Sequence, residues 1–171
     1  QRHWEAHKQE FMSVIEDRLS RAELILRQDA LDFEKSMADR IGTKYAKGIN
    51  SGFDALHLSL RALDIGPDDE VVTVDHTFMA SIAAIALAGA KPVLIDVKDD
   101  FNMDMELLEA AITPKTKAIM PVHLNGRACD MDALNRIVKK FEDKGQKIYV
   151  VEDAAQALGA KFNGKVAGSF G

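Results

Sequence analysis

The stretch that decides the fold is an apolar run ending in a carboxylate, Ile148-Tyr149-Val150-Val151-Glu152-Asp153-Ala154-Ala155-Gln156. Its β-branched and apolar residues predict a parallel strand that is buried on both faces. In open α/β sheets, ligands bind beyond the carboxyl ends of such strands. Asp153 could therefore face a cationic ring nitrogen of a cofactor. Asp153 could instead cap a following helix, and the strand alone slightly favours that interpretation.

On both sides of this stretch, strand and helix patterns alternate along the chain. Strands are predicted near residues 45–49, 70–74, 92–96, 117–122 and 147–152. Helices are predicted near residues 5–26, 30–41, 53–63, 78–88, 105–112 and 131–144, with Gly42 as a stop signal for the second. This alternation predicts an α/β fold, a mostly parallel sheet with helices on both faces. Residues 161–166 predict a hairpin centred on Asn163-Gly164.

Bulk properties restrict the class of protein. With 171 residues, 47% of them hydrophobic, the chain can build one ordinary core. A net charge of -5 without a basic cluster argues against a nucleic-acid or membrane partner, and no apolar run approaches the roughly 20 residues of a membrane helix. The single cysteine, Cys129, excludes an internal disulfide and favours a cytoplasmic location. The chain begins without Met and stops in a loop, so we expect a fragment of a longer protein.

Three junctions between a strand and a helix carry candidate binding residues. Ser51-Gly52-Phe53 opens a helix, whose free N–H groups suit an anion, although an ordinary helix cap explains it as well. Phe78 could lie flat on a planar ligand or belong to the core. The third junction supplies Asp153 and Gln156. An anion site, a flat aromatic and a carboxylate together suit a phosphorylated, protonated heteroaromatic ring, and pyridoxal phosphate (PLP) matches this description.

Other polar residues give weaker indications. His3 and His7 have helical spacing but no third ligand nearby, so we predict no metal site. His123 is better explained as a satisfied core or loop histidine, although it could reach the site. Cys129 has no partner at useful spacing, so no nucleophile is predicted.

Ordered motifs along the chain resemble those of one known family. They are residues 51–56, 69–71, 76–78, 89–93 with Asp96, 111–119, 121–126, 130–131 and 152–160. From about Glu5 to Gly171 the chain resembles the N-terminal part of the DegT/DnrJ/EryC1/StrS sugar aminotransferases. The resemblance implies an incomplete large domain of the aspartate-aminotransferase type (PLP fold type I) over residues 43–171, after an N-terminal helical segment, residues 1–42.

The resemblance also implies roles for five residues. Asp153 would pair with the pyridine nitrogen of PLP, and Gln156 would contact its phenolic oxygen. Phe78 would stack on the ring, and the backbone N–H groups of Gly52 and Phe53 would hold the phosphate. Members of the family act as homodimers that convert a keto group of a nucleotide-linked sugar into an amine, usually with nitrogen from glutamate.

Two departures from the family pattern matter. Phe53 stands where many members carry Thr, so one hydroxyl donor to the phosphate is lost. The Schiff-base lysine of the family lies just beyond the segment that matches Gly168–Gly171 and is not in this chain, since Lys161 and Lys165 flank the hairpin. We therefore expect the chain alone to be inactive. Two alternatives stay open: a PLP-dependent sugar dehydratase of the same family, with histidine replacing that lysine, and a non-catalytic fragment or pseudoenzyme.

Overall fold

The computed structural model describes residues 1–22, 25 and 27–171, and its centre is a four-stranded parallel sheet. The strands are β1 (Glu70–Val74), β2 (Lys91–Ile95), β3 (Thr116–Ile119) and β4 (Tyr149–Val150). Their order across the sheet is β2-β1-β3-β4, and every neighbouring pair is parallel. The carboxyl ends of all four strands therefore meet at one edge of the sheet.

Helices occupy both faces of this sheet, as the alternating pattern predicts. The helices of the described residues are α1 (Arg2–Ser20), α2 (Gln28–Ile41), α3 (Gly52–Ala62), α4 (Met79–Leu87), α5 (Met105–Ala111) and α6 (Met131–Glu142). Of these, α3 and α4 pack on one face of the sheet, and α5 and α6 pack on the other. A 3-10 turn covers Leu124–Gly126. No helix of the described residues is long and apolar enough to cross a membrane.

Two cores form because side chains of a strand alternate between the faces of the sheet. On one face Val72 and Val74 pack with Leu134 of α6, and α5 adds Leu108. Val71, which directly precedes Val72 and so points to the other face, belongs to the opposite core, which α3 and α4 cover through Leu60 and Ile85. The strands are thus buried on both sides, in agreement with their continuous apolar sequence.

β3 and β4 end earlier than predicted, and Pro121 explains why. In a regular parallel ladder its N–H would pair with the carbonyl of Val151, but proline has no N–H to give. Pairing resumes at once: the Asp153 N–H donates to the Pro121 carbonyl (2.9 Å), and the His123 N–H donates to the Asp153 carbonyl (3.0 Å). Asp153 is therefore held beside the end of β3.

Two other predictions have different outcomes. The predicted strand at residues 45–49 is wrong: the segment is irregular, because no strand of the described residues offers it backbone partners, and Glu34 of α2 binds the Gly48 N–H instead (2.8 Å). The hairpin is confirmed, with β5 (Lys161–Phe162) antiparallel to β6 (Lys165–Val166) around a turn whose Asn163 and Gly164 both have positive φ. The first helix ends at Ser20, and the predicted end at residue 26 lies outside the described residues.

Candidate active site

A cavity of about 340 Å³ opens at the carboxyl edge of the sheet. All five residues that the sequence singles out for a cofactor, Gly52, Phe53, Phe78, Asp153 and Gln156, line it. The remaining lining residues are Ser51, Leu56, Thr77, Ala80, Val122, His123, Leu124 and Ala155. Four separate segments meet here: three of them follow β1, β3 and β4, whose carboxyl ends lie at the same edge, and the fourth is the amino end of α3.

The amino end of α3 forms one wall of the cavity. Ser51 caps the helix: its Oγ accepts a hydrogen bond from the Asp54 N–H (3.1 Å) and donates to the Asp54 carboxylate (2.6 Å). The first two amides of the helix, those of Gly52 and Phe53, have no partner among the described residues. The start of α3 is therefore capped and can still bind an anion. The cap satisfies only the third amide, and the first two remain at the positive end of the helix dipole.

Phe78 lies at the rim of the cavity and is not a core residue. It is the residue before α4, with an extended backbone (φ -69, ψ 140), and 75% of it is exposed. Its placement outside the helix explains why the core interpretation is wrong: the apolar face of α4 begins only after it. An exposed ring at a cavity rim can cover a planar ligand.

Asp153 does not cap a helix, because the chain after it turns without forming one. Its Oδ1 accepts a hydrogen bond from the N–H of Ala155, two residues on (3.2 Å), and its Oδ2 accepts one from the hydroxyl of Ser81 (2.8 Å). Ser81 is fully buried in α4 and also contacts the Thr77 hydroxyl (3.0 Å). Because the Ser81 proton goes to the carboxylate, Thr77 must be the donor in that second contact. Two hydroxyls thus orient the carboxylate.

Gln156 is fixed through its carbonyl end. Its Oε1 accepts a hydrogen bond from the N–H of Asn125 (2.8 Å), which lies in a turn with positive φ after β3. This contact assigns the amide orientation and leaves the side-chain NH₂ as the group that can donate to a ligand.

His123 lines the cavity, but both of its ring nitrogens already have protein partners. The Cys129 N–H donates to Nδ1 (3.1 Å), and Nε2 lies 2.9 Å from the Glu152 carboxylate. Since Nδ1 accepts, the proton is on Nε2. The prediction of a satisfied histidine is confirmed.

Glu152 and Ser81 are the residues that sequence reasoning missed. Burial alone would raise the pKa of Glu152, but hydrogen bonds from His123 and from the backbone of Gly168, Gly171 and Phe170 outweigh it and lower the pKa. Ser81 could have been noticed as the one hydroxyl in the otherwise apolar helix α4. Nothing in the sequence near Glu152 names its partners, which lie 16 to 29 residues away.

Other candidate groups stay outside the site. Lys161 and Lys165 are exposed on the hairpin. Burial raises the pKa of the Cys129 thiol to about 11, so it is a poor nucleophile. No cluster of three metal-ligating side chains occurs among the residues that the structure describes.

Comparison with known proteins places this geometry in a family. The model of the DegT/DnrJ/EryC1/StrS aminotransferase family matches residues 5–171. The chain is 47% identical over 148 residues to dTDP-3-amino-3,6-dideoxy-alpha-D-galactopyranose transaminase from Aneurinibacillus thermoaerophilus, covering 86% of this chain and 39% of that protein.

Solved structures agree in fold. DesV from S. venezuelae, in complex with a ketimine intermediate, superposes with a TM-score of 0.91 at 40% identity, over 97% of this chain and 44% of DesV. The PLP form of Spr1654 from Streptococcus pneumoniae gives 0.79 at 37% identity, over 84% of this chain and 40% of that one. This chain thus spans less than half the length of these proteins, and its fold is the PLP fold-type I large domain in part. The chain belongs to the DegT/DnrJ/EryC1/StrS aminotransferase family.

Proposed function

We propose that the protein is a PLP-dependent aminotransferase that acts on a keto-sugar linked to a nucleotide, in amino-sugar biosynthesis. One observation carries the proposal: a single cavity joins a helix N-terminus, an exposed aromatic ring and a carboxylate at the carboxyl edge of the sheet. The transaminase name of the relative and the PLP form of the solved neighbour support the same activity and cofactor.

The residues present fit PLP. A Cβ on Gly52 would meet no atom within 4 Å, so the backbone at the start of α3 is open to a phosphate. The amides of Gly52 and Phe53 would hold that phosphate, and the loss of a Thr hydroxyl at position 53 leaves these backbone donors in place. Phe78 would cover one face of the ring. The 340 Å³ of the cavity lies at the lower end of the range for small-ligand sites.

The chain's own groups hold and orient the cofactor. When bound, PLP supplies an electron sink for the negative charge that develops at the substrate carbon. Asp153, fixed by Ser81 and Ala155, would place a negative charge against the pyridine nitrogen. Gln156 would donate its NH₂ to the phenolic oxygen, since its carbonyl is already used by Asn125.

Substrate and assembly follow from the same proposal. The acceptor would be a nucleotide-linked keto-sugar and the amino donor glutamate. Phe78 at the cavity rim and Met79, the next residue in the chain, are 75% and 68% exposed, and a second copy of the protein in a homodimer would cover them. In this proposal residues 43–171 form part of the PLP-binding domain, residues 1–42 precede it as a helical segment, and the enzyme works in the cytoplasm.

The test compares two Asp→Asn variants of the complete gene product. Asp153→Asn removes the proposed partner of the ring nitrogen and should lower kcat by about two orders of magnitude, because truncating one member of a buried charge pair costs about 2–5 kcal/mol. Asp75→Asn changes an exposed carboxylate that follows β1 at the same edge but does not line the cavity, and it should behave as wild type. PLP binding is followed by absorbance, and amine transfer by the appearance of the aminated sugar nucleotide.

Other outcomes decide against the proposal. Normal transamination by Asp153→Asn would refute the role of Asp153. PLP binding with loss of a sugar hydroxyl and no net amine transfer would favour the dehydratase. A wild-type protein that causes no shift in PLP absorbance would favour a pseudoenzyme.

A further inference from the structure

Glu152 directly precedes Asp153, and only 3% of its side chain is exposed. Four N–H groups donate to its carboxylate. Oε1 accepts from the backbone amides of Phe170 (2.5 Å) and Gly171 (2.8 Å). Oε2 accepts from the backbone amide of Gly168 (2.7 Å) and from Nε2 of His123 (2.9 Å). Each oxygen therefore receives two donors, and a buried charge that would otherwise be costly is fully hydrogen-bonded.

These donors come from two places that are separate in sequence. Three belong to one short segment, Gly168–Gly171, which lies against the edge of β4: a Cβ on Gly171 would come within 2.5 Å of the Val150 carbonyl oxygen. The fourth donor, His123, is fully buried and forms part of the cavity wall. The Cys129 N–H holds the other side of its ring. Glu152 therefore connects the wall of the cavity to the segment beside β4.

A second buried carboxylate shows what a different arrangement looks like. Glu70 begins β1, at the amino edge of the sheet, where Lys91 and the Thr113 hydroxyl bind it. Neither Glu70 nor these two partners line the cavity. The two carboxylates have similar burial but opposite positions, so Glu70 is a matched control for Glu152.

We propose that Glu152 is a positioning residue, which fixes the segment Gly168–Gly171 and the His123 wall relative to each other and so keeps the cavity in the shape that binds PLP. The second half of this statement rests on the proposed function. The first half does not, because the hydrogen bonds of the segment can be measured without any cofactor.

Glu152→Gln directly tests the connection that Glu152 makes between His123 and the segment Gly168–Gly171. A glutamine keeps the size of the side chain but replaces one acceptor oxygen by an NH₂ group. Whichever way the amide lies, that group meets two donors, so two of the four hydrogen bonds are lost. His123 cannot compensate by moving its proton to Nδ1, because Nδ1 faces the Cys129 N–H.

Two variants of His123 separate the roles of its two ring nitrogens. Gln at position 123 can place its amide nitrogen near the position of Nε2 and so keep a donor to Glu152. Asn can place its amide oxygen near the position of Nδ1, which keeps the acceptor for Cys129 but loses the donor to Glu152. His123→Gln should therefore preserve the order of the distant segment, and His123→Asn should not.

The experiment measures amide hydrogen exchange by NMR and PLP affinity by absorbance titration, on the complete gene product. Without PLP, exchange in the segment Gly168–Gly171 should rise about tenfold in Glu152→Gln, at Gly168 or at Phe170 and Gly171 according to which oxygen the NH₂ group replaces, since a hydrogen bond to a charge is lost. In His123→Asn, exchange at all three amides should also rise about tenfold, because the Glu152 carboxylate that binds them loses the donor that holds it to the cavity wall. It should stay near wild type in His123→Gln and in Glu70→Gln. The PLP dissociation constant should rise about tenfold in Glu152→Gln and remain unchanged in Glu70→Gln.

Each other result has a definite meaning. Unchanged exchange at the three amides in Glu152→Gln would refute the claim that Glu152 fixes the segment Gly168–Gly171. If that variant does not fold, equal exchange in the two His123 variants would refute it. Faster exchange with an unchanged PLP dissociation constant would overturn the link to the cavity. A wild-type protein that binds no PLP would refute the proposed function instead. Amide exchange alone would then decide whether Glu152 fixes the segment Gly168–Gly171.

Discussion

At the scale of single residues, the site depends on side chains that are held in place by other groups of the protein, both side chains and backbone amides. Asp153 lies at a strand end, but the buried Ser81 hydroxyl sets the direction of its carboxylate. Gln156 presents its NH₂ group to the cavity only because the backbone N–H of Asn125 donates to its carbonyl oxygen. A binding geometry of this kind needs such supporting contacts, since an unsupported side chain would sample several rotamers.

Ser81→Ala tests that support. It removes the hydroxyl that donates to Asp153 while leaving the helix and the carboxylate in place, so we expect kcat/KM to fall by about tenfold or more, because a hydrogen bond to a charged group contributes about 1.5–3 kcal/mol. Ser59→Ala is the control: that hydroxyl bonds only to the Ala55 carbonyl on an exposed helix surface, and its loss should leave the kinetics unchanged. Equal kinetics for the two variants would show that Ser81 does not orient Asp153.

At the scale of elements, helix ends and strand ends build the cavity. The amino end of α3 contributes two amides rather than a charged side chain, and an anion there benefits from the helix dipole. Pro121 interrupts the ladder between β3 and β4, yet pairing resumes at Asp153 and fixes its backbone beside the end of β3. Backbone positions therefore set where the groups of the site lie, and side-chain contacts such as that of Ser81 set how they are oriented.

Gly52→Pro tests the backbone donor of α3. Proline is favoured at the first position of a helix and lacks only the N–H, and the extended conformation of Ser51 (φ -152, ψ 157) is compatible with a following proline. We expect stability to be kept and PLP affinity to fall about tenfold through the loss of one charge-assisted hydrogen bond. Gly52→Ala retains the N–H in open space and should bind PLP as wild type does. Undiminished PLP affinity in Gly52→Pro would remove that amide from the phosphate site.

At the scale of the whole molecule, three glutamates join segments that are distant in sequence, and the pKa of each is lowered. Glu34 joins α2 to the following segment through Lys47 and Gly48, and hydrogen bonds from them lower its pKa. For Glu70, the Thr113 hydroxyl and then Lys91 lower the pKa. Glu152 has its pKa lowered by the donors described above, against the effect of burial.

Stability should therefore decrease in acid. Each carboxyl has a lower pKa in the folded state than its ordinary value of 4.5, so between the two values the unfolded chain binds more protons. Their contribution is complete above pH 4.5 and is lost as the pH falls through the folded-state values. Urea unfolding followed by circular dichroism between pH 3 and 6 should show this slope. Glu70→Gln should flatten it, whereas Glu16→Gln, an exposed residue, should not. A free energy of unfolding that rises towards pH 3 would contradict the prediction.

Much of the fold and of the candidate site follows from the amino-acid sequence. The apolar runs with intervening amphipathic helices determine a parallel sheet covered on both faces, and parallel strands must bring their carboxyl ends to one edge. This is why Phe78 and Asp153, 75 positions apart in the numbering of the chain, could be assigned to one cavity. Gly52 lines the same cavity although no strand of the described residues precedes it. The Asn163-Gly164 turn is equally local, since its two residues tolerate positive φ.

Only the tertiary structure decided which polar groups meet. Residues 45–49 are predicted as a strand, but a strand exists only where another strand supplies its backbone partners. Ser81 reaches Asp153 across 72 positions, and Glu152 gathers amides from Gly168 onward. Such contacts depend on how helices and loops pack over the sheet, and no local pattern encodes them. The sequence by itself determined where the site lies, and three-dimensional packing decided what holds it in shape.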